Sequence, residues 1–226
     1  MLRRILASCL FTLVALAPAL VAAAATNPAK IAGTASEVLK EILQQAPDRA
    51  IPKDLLRNAY AVAVIPDVVK VGLVLGGRHG EGLIAVKTPD GKWSDPAYVT
   101  LTGGSVGFQA GVSSTDVVLV FRTRQGVDSL VNGKFTLGVD AHAAAGPVGR
   151  NASAATDIAL QSEIYSYSRS RGLFAGVALD GAVLRIDDNA DAAMYGANYT
   201  ARQIFDGKAA SAPAVLTRFR DQLDRY

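Results

Sequence analysis

Residues 61–86 read AVAVIPDVVKVGLVLGGRHGEGLIAV, a series of short apolar runs cut by glycine. Val62 to Ile65, Val71 to Leu75 and Leu83 to Val86 are too short for helices and rich in β-branched side chains, which predicts strands. The same texture recurs at Val99 to Leu101, Val117 to Phe121 and Phe135 to Val139, with Pro89-Asp90-Gly91 as a turn between two of the runs. No regular alternation of strand with helix separates them, so the pattern is that of an antiparallel sheet rather than of βαβ units. Further strands are expected at Ile158 to Ser168, where Ile164, Ser166 and Ser168 alternate with Tyr165 and Tyr167, and at Leu173 to Leu179 and Val183 to Ile186.

Helical texture flanks this sheet on both sides. After Asn27-Pro28, a cap and first-turn pair, residues 29–45 carry Ile31, Ala32, Ala35, Val38, Leu39, Ile42 and Leu43 on one arc of about 140°. The opposite face holds Lys30 and Lys40 beside Glu37 and Glu41 and is neutral in sum. Such a helix either lies in a membrane interface or packs on the sheet. A short helix is expected from Pro52 through Lys53, Leu55, Leu56 and Arg57, and others over Ala190 to Tyr195, Thr200 to Phe205 and Pro213 to Leu223. The expected class is α+β: a glycine-rich antiparallel sheet, or a partly closed barrel or sandwich, with N- and C-terminal helices packed on it.

The N-terminus reads as a targeting segment. Met1-Leu2-Arg3-Arg4 is a positive start, Ile5 to Val21 is apolar, and Ala22 to Ala25 offer small residues for a peptidase. Cleavage after Ala25 leaves one domain over residues 26–226, exported to the periplasm or cell envelope. Leu6-Ala7-Ser8-Cys9 looks like a lipobox, but only four residues separate Arg4 from Cys9, and the apolar run continues past it. Cys9 is the sole cysteine, so the processed domain has no disulfide, thiolate nucleophile or cysteine-bound metal. With 23 basic and 20 acidic residues in the whole chain, and Arg3 and Arg4 in the leader, the remainder is nearly neutral, which argues against a nucleic-acid partner.

Three segments invite chemical readings. Gly103-Gly104-Ser105-Val106-Gly107 matches the G-x-S-x-G nucleophile elbow, for which only His142 follows in hydrolase order; its context reads as glycine-kinked strand. Gly76-Gly77-Arg78-His79-Gly80-Glu81-Gly82 suggests an anion-binding loop, but it fits no phosphate-loop pattern and reads as glycines at a hairpin or barrel corner. Asp187-Asp188-Asn189-Ala190-Asp191 begins like a calcium loop, but Ala192 and Asn198 stand where glycine and glutamate belong, and helix capping is the better account. His79 and His142 have no metal-ligand spacing. No catalytic, metal or cofactor residues are assigned, and no cofactor is expected.

The chain resembles the SYLF lipid-binding family, the actin-regulator-like domain of yeast and animal endocytic proteins. The segments that carry the resemblance include Ile51-Pro52 with Leu55-Leu56, Ala61 to Ile65, Lys70-Val71-Gly72 and the Gly76 to Gly82 run. Gly91-Lys92-Trp93-Ser94-Asp95-Pro96, Gly103 to Gly111, Phe135 to Gly138, Ala145 to Arg150, Ile164 to Ser168, Gly172 to Gly176 and Met194-Tyr195-Gly196 complete it. The resemblance implies a non-enzymatic domain that binds membrane lipids through its N-terminal helix and nearby positive surface. On this chain the implied lipid-binding residues are Lys30, Lys40, Lys53, Arg57 and Lys70. An exported bacterial member would meet anionic phospholipid, weakly, rather than actin. The alternatives are a serine hydrolase using Ser105 and an envelope scaffold that binds protein.

Overall fold

The computed structural model describes residues 27–45, 51–72, 75–106, 111–148, 162–170 and 173–225. The expected signal peptide and Cys9 lie outside them.

Helix α1 (Pro28–Gln44) starts at Asn27, whose side chain accepts a hydrogen bond from the Ala29 N–H at 3.0 Å, satisfying a first-turn donor. Helix α2 (Lys53–Arg57) follows Pro52. The four long strands are β1 (Ala61–Gly72), β2 (Leu75–Val86), β3 (Ala97–Val106) and β4 (Gly111–Phe121). The second half adds α3 (Arg124–Val131), β5 (Lys134–Thr136), β6 (Ala143–Ala145), β7 (Ile164–Ser170), β8 (Leu173–Gly176) and β9 (Val183–Ile186). Helices α4 (Asp188–Tyr195), α5 (Ala201–Phe205) and α6 (Ala214–Asp224) end the chain. In the sheet the order is β5-β9-β3-β2-β1-β4-β7-β6, with β8 paired to β7. The architecture is thus α+β, a curled sheet with helices at the N- and C-terminal ends of the described chain.

Several local expectations change. The sheet is mixed, because β6 runs parallel to β7, which the long connection 146–163 permits. Val71 to Leu75 is no single strand; it holds the end of β1 and the start of β2. The Gly76 to Gly82 run lies within β2, not at a hairpin turn. Of the run Ile158 to Ser168, residues 158–161 fall outside the described part and β7 begins at Ile164. Helix α3 was not legible: its apolar signal is only Val127, Leu130 and Val131, and Gly126 interrupts it. A Cβ there would lie 3.0 Å from the Phe121 ring, so a larger residue would need that ring to give by a few tenths of an ångström.

The core forms where helices cover the proximal half of the sheet. Residues Ala61 to Pro66 of β1 are all buried, so both faces of the strand are covered there. Helix α1 contributes Ala32, Ala35, Val38, Leu39 and Ile42, five of the seven residues of the expected arc, with Ile31 and Leu43 partly buried at its edges, and α6 contributes Leu216, Phe219 and Leu223. Leu39 and Ile42 are at most 2% exposed, and burying each is worth about 2 kcal/mol. Of the two readings of α1, packing on the core is the one observed. Polar contacts anchor α6: the Trp93 N–H donates to Asp224 Oδ1 at 2.9 Å, and Arg220 Nη1 to Asp95 Oδ1 at 2.6 Å.

One residue is inserted into β1. Its register shifts by one between Ile65 and Val68 against β4, and between Val64 and Val69 against β2, so Pro66-Asp67 form a bulge. Asp67 has φ +49°, left-handed backbone that aspartate tolerates better than most residues. Its N–H donates to Asp116 Oδ1 at 3.1 Å, and Arg169 Nε reaches Asp116 Oδ2 at 2.7 Å. Arg169 also pairs with Glu41 of α1, so one charged network ties bulge, sheet and helix together. Beyond the bulge the sheet leaves the core.

Candidate functional site

Past the bulge the central strands continue with little covering them. Val69, Val71 and Val112 keep 40%, 51% and 74% of their surface exposed, unusual for valines in a sheet. Val71 stands opposite Val112, and residues directly opposed in an antiparallel pair share a face. Lys70 stands opposite both Arg78 and Ser113, on the other face. From Val68 to Gly80 the chain holds Lys70, Arg78 and His79 but no acid, and from Ala97 to Thr115 it holds no charged residue. Among the described residues, the strands past the bulge are therefore apolar on one face and carry Lys70 and Arg78 on the other, with Asp67 at the bulge and Glu81 beside it as the flanking carboxylates.

A groove of about 600 Å³ separates the first turns of α1 from this sheet end. Lys30, Ile31 and Thr34 line it from the helix, Val69 and Val71 from β1, and Gly77 and His79 from β2. Tyr98, whose hydroxyl donates to the Pro28 carbonyl at 2.8 Å, fixes the start of α1 over β3.

The five expected lipid-binding cations are all exposed, but they do not form one patch. Lys30 and Lys70 belong to the distal end. Arg57 lies at the other end of β1, where its carbonyl accepts from Lys87 Nζ at 2.5 Å and where Leu43, Trp93 and Asp224 share a small cavity with it. Lys53 opens the same short helix. A 12-residue strand spans about 40 Å, so α2 and Lys70 sit far apart. Lys40 lies on α1, about 15 Å along its axis from Lys30, 3.9 Å from Glu37; Arg57 is 3.8 Å from Asp54. Arg78, which in sequence belongs to the Gly76 to Gly82 run with its anion-loop alternative, joins Lys70 through the register; the missing acids are the signal that pairs them.

The hydrolase alternative fails on topology. Ser105 occupies a strand position opposite Gly76 at the distal end of β3, rather than a strand-to-helix elbow. His142 precedes β6, level with Ile164 and Phe121 at the proximal end. Along β4 those two ends are about 30 Å apart, beyond hydrogen-bond reach.

The Asp187 to Asp191 segment divides its roles. Asp187 caps α4 by accepting from the Ala190 N–H at 3.0 Å. Asp191 is fully buried and accepts from the Tyr98 N–H at 2.8 Å. Burial, reinforced by Asp188 and Asp187 and opposed by the Tyr98 N–H, pushes its carboxyl up to about 8. It belongs to the packing of α4 on β3. Among the described residues no group of three or more His, Cys, Asp or Glu is placed to hold a metal.

Fold and site together define a curled, glycine-rich sheet domain with a helix packed at its N-terminal side, offering surfaces and a groove among the described residues. The chain belongs to the Ysc84 family, described as Las17-binding protein actin regulator, which matches residues 102–226. It is 36% identical over 176 residues to LAS seventeen-binding protein 3 of Saccharomyces cerevisiae, covering 76% of this chain and 38% of that protein. To SH3 domain-containing YSC84-like protein 1 of Homo sapiens it is 33% identical over 155 residues, covering 66% of this chain and 45% of the relative. The chain thus spans less than half the length of these relatives.

Proposed function

We propose that this chain is a non-enzymatic lipid-binding module that acts at an anionic membrane surface of the bacterial cell envelope, with the distal sheet end as its contact. The observation that carries this reading is the sheet end past the bulge, where Lys70 and Arg78 are cross-strand neighbours with no acid between Val68 and Gly80, and Val112 is 74% exposed. A basic residue near an anionic surface contributes about 1 kcal/mol at low salt, and an exposed valine adds apolar contact. Family membership supports a binding module. The name of the Saccharomyces cerevisiae relative points to Las17 as that protein's partner; an exported chain meets phospholipid instead, and the leader-like residues 1–25 support export. Apart from Ile31 at its start, the apolar arc of α1 is largely committed to the core, so membrane contact through that arc is not part of the proposal.

The purified protein should co-sediment with phosphatidylglycerol-containing vesicles at low salt and release as salt rises. Lys70→Glu with Arg78→Glu should weaken association on the order of tenfold or more. Lys53→Glu with Arg57→Glu, at the far end of β1, should change it less than twofold. Circular dichroism checks that each variant is folded. Indifference to anionic vesicles at low salt, or equal loss in both double variants, would count against the proposal.

A further inference from the structure

We infer that the groove between α1 and the apolar face of the distal sheet end seats a single acyl chain, carried by an amphiphile with an anionic head; this deepens the lipid reading above and rests on it. At about 600 Å³ the groove lies in the range of small-ligand sites. Val71 and Gly77 are paired across β1 and β2, as are Val69 and His79, so these positions share the face that lines the groove. A Cβ built on Gly77 meets nothing within 4 Å, so the missing side chain leaves the space open. From the helix, Ile31 adds apolar surface, and the Thr34 hydroxyl is turned back to the Lys30 carbonyl at 3.1 Å, which satisfies it locally.

The groove's accessible lining is mostly apolar, and Asn27 and Thr34 are engaged by their own helix, so it suits hydrocarbon better than a sugar or nucleotide, which would leave hydroxyls unpaired. Charge selects the head. Lys30 is exposed at the groove and Arg78 also borders it, while Lys70 lies across the sheet on the opposite face. The two groove acids are engaged: Asp67 Oδ1 accepts from Ser114 Oγ at 3.4 Å, and Glu81 lies 3.8 Å from His79.

The test uses oleate and lysophosphatidylglycerol as separate probes, below their critical micelle concentrations, with native mass spectrometry for stoichiometry and fluorescence displacement for affinity. The expected result is a 1:1 complex whose affinity rises about tenfold for every two carbons added to the chain, then levels when the groove is full. Preference between the probes tells a carboxylate source from a phosphodiester one. Gly77→Trp, which fills the groove from the sheet, and Thr34→Trp, which fills it from the helix, should each weaken binding at least tenfold while circular dichroism stays native. Affinity independent of chain length, or unchanged binding by both folded tryptophan variants, overturns the inference. Vesicle co-sedimentation of the wild type reports the surface reading separately: sedimentation with no 1:1 complex at any chain length overturns the groove alone, and loss of both overturns both.

Discussion

Gly82→Ala is expected to destabilise the fold by about 4 kcal/mol, enough to unfold a domain of ordinary stability at moderate temperature. The reason is backbone, not side chain. A Cβ on Gly82 would lie 2.2 Å from the Val64 carbonyl oxygen and 2.6 Å from the Ile65 Cα, just ahead of the Pro66-Asp67 bulge. Neither atom belongs to a flexible side chain, so β1 and β2 would have to part where both are buried. Gly77→Ala, four residues of strand from Gly82's neighbour Glu81, is the matched comparison: open space receives its methyl, and loss of unfolded-state freedom should make it neutral or stabilising by about 0.5 kcal/mol. Urea unfolding of the two variants decides it. A Gly82→Ala protein as stable as Gly77→Ala would show that the strands at the bulge can separate without cost.

The second large effect is a pH dependence governed by Asp191. Its ordinary value is 3.8 and burial raises it to about 8, so the folded state keeps this proton over a range where the unfolded chain has lost it. Folded molecules then bind more protons than unfolded ones, and the contribution of this group to stability falls as pH rises from about 4 to about 8, then flattens. Asp191→Asn keeps an oxygen acceptor for the Tyr98 N–H and removes the titration. The variant should match wild type near pH 4 and exceed it by on the order of 3 kcal/mol at pH 8. Asp191→Ala should cost about 1–3 kcal/mol at low pH, because the buried Tyr98 N–H loses its acceptor. Thermal melts across pH 4 to 9 measure both, and wild-type and Asn curves that run parallel would mean that the carboxyl ionises freely in the fold.

This ionisation also bears on the site. Tyr98 links the two regions: its N–H meets Asp191, and its hydroxyl holds the Pro28 carbonyl at the start of α1, beside the groove. Loosening of α4 from β3 at high pH would therefore reach the first turn of α1, and the loss of groove affinity should follow the same pH window.

Much of the fold was legible in particular residues. Asn27-Pro28 with the arc from Ile31 to Leu43 set helix α1 to within a residue at each end, because capping and a 3.6-residue apolar period are local signals. Val183 to Ile186 likewise matches β9, and Gly91, at φ +83°, turns the Pro89-Asp90-Gly91 connection as its chemistry requires. The glycine run 76–82 was read for its type but not for its place. A glycine needed at a turn and a glycine needed where another strand crowds the backbone look alike in sequence, and the bulge that does the crowding lies on a different strand.

The candidate site was legible only in part, and the division follows from the range of the interactions. By itself the sequence determined the packing arc of α1, the capping character of residues 187–191, the roster of cations and most element types, though not α3 or β6, since each depends on residues a few positions apart. Only the tertiary structure decided which cations stand together: it joined Lys70 to Arg78 through strand register and set Lys53 and Arg57 at the far end of β1. It also sent the apolar arc of α1 into the core, and it made a groove from Ile31 and Val71, forty residues apart. Register and helix docking are sums of many long-range contacts, so no local pattern could carry them.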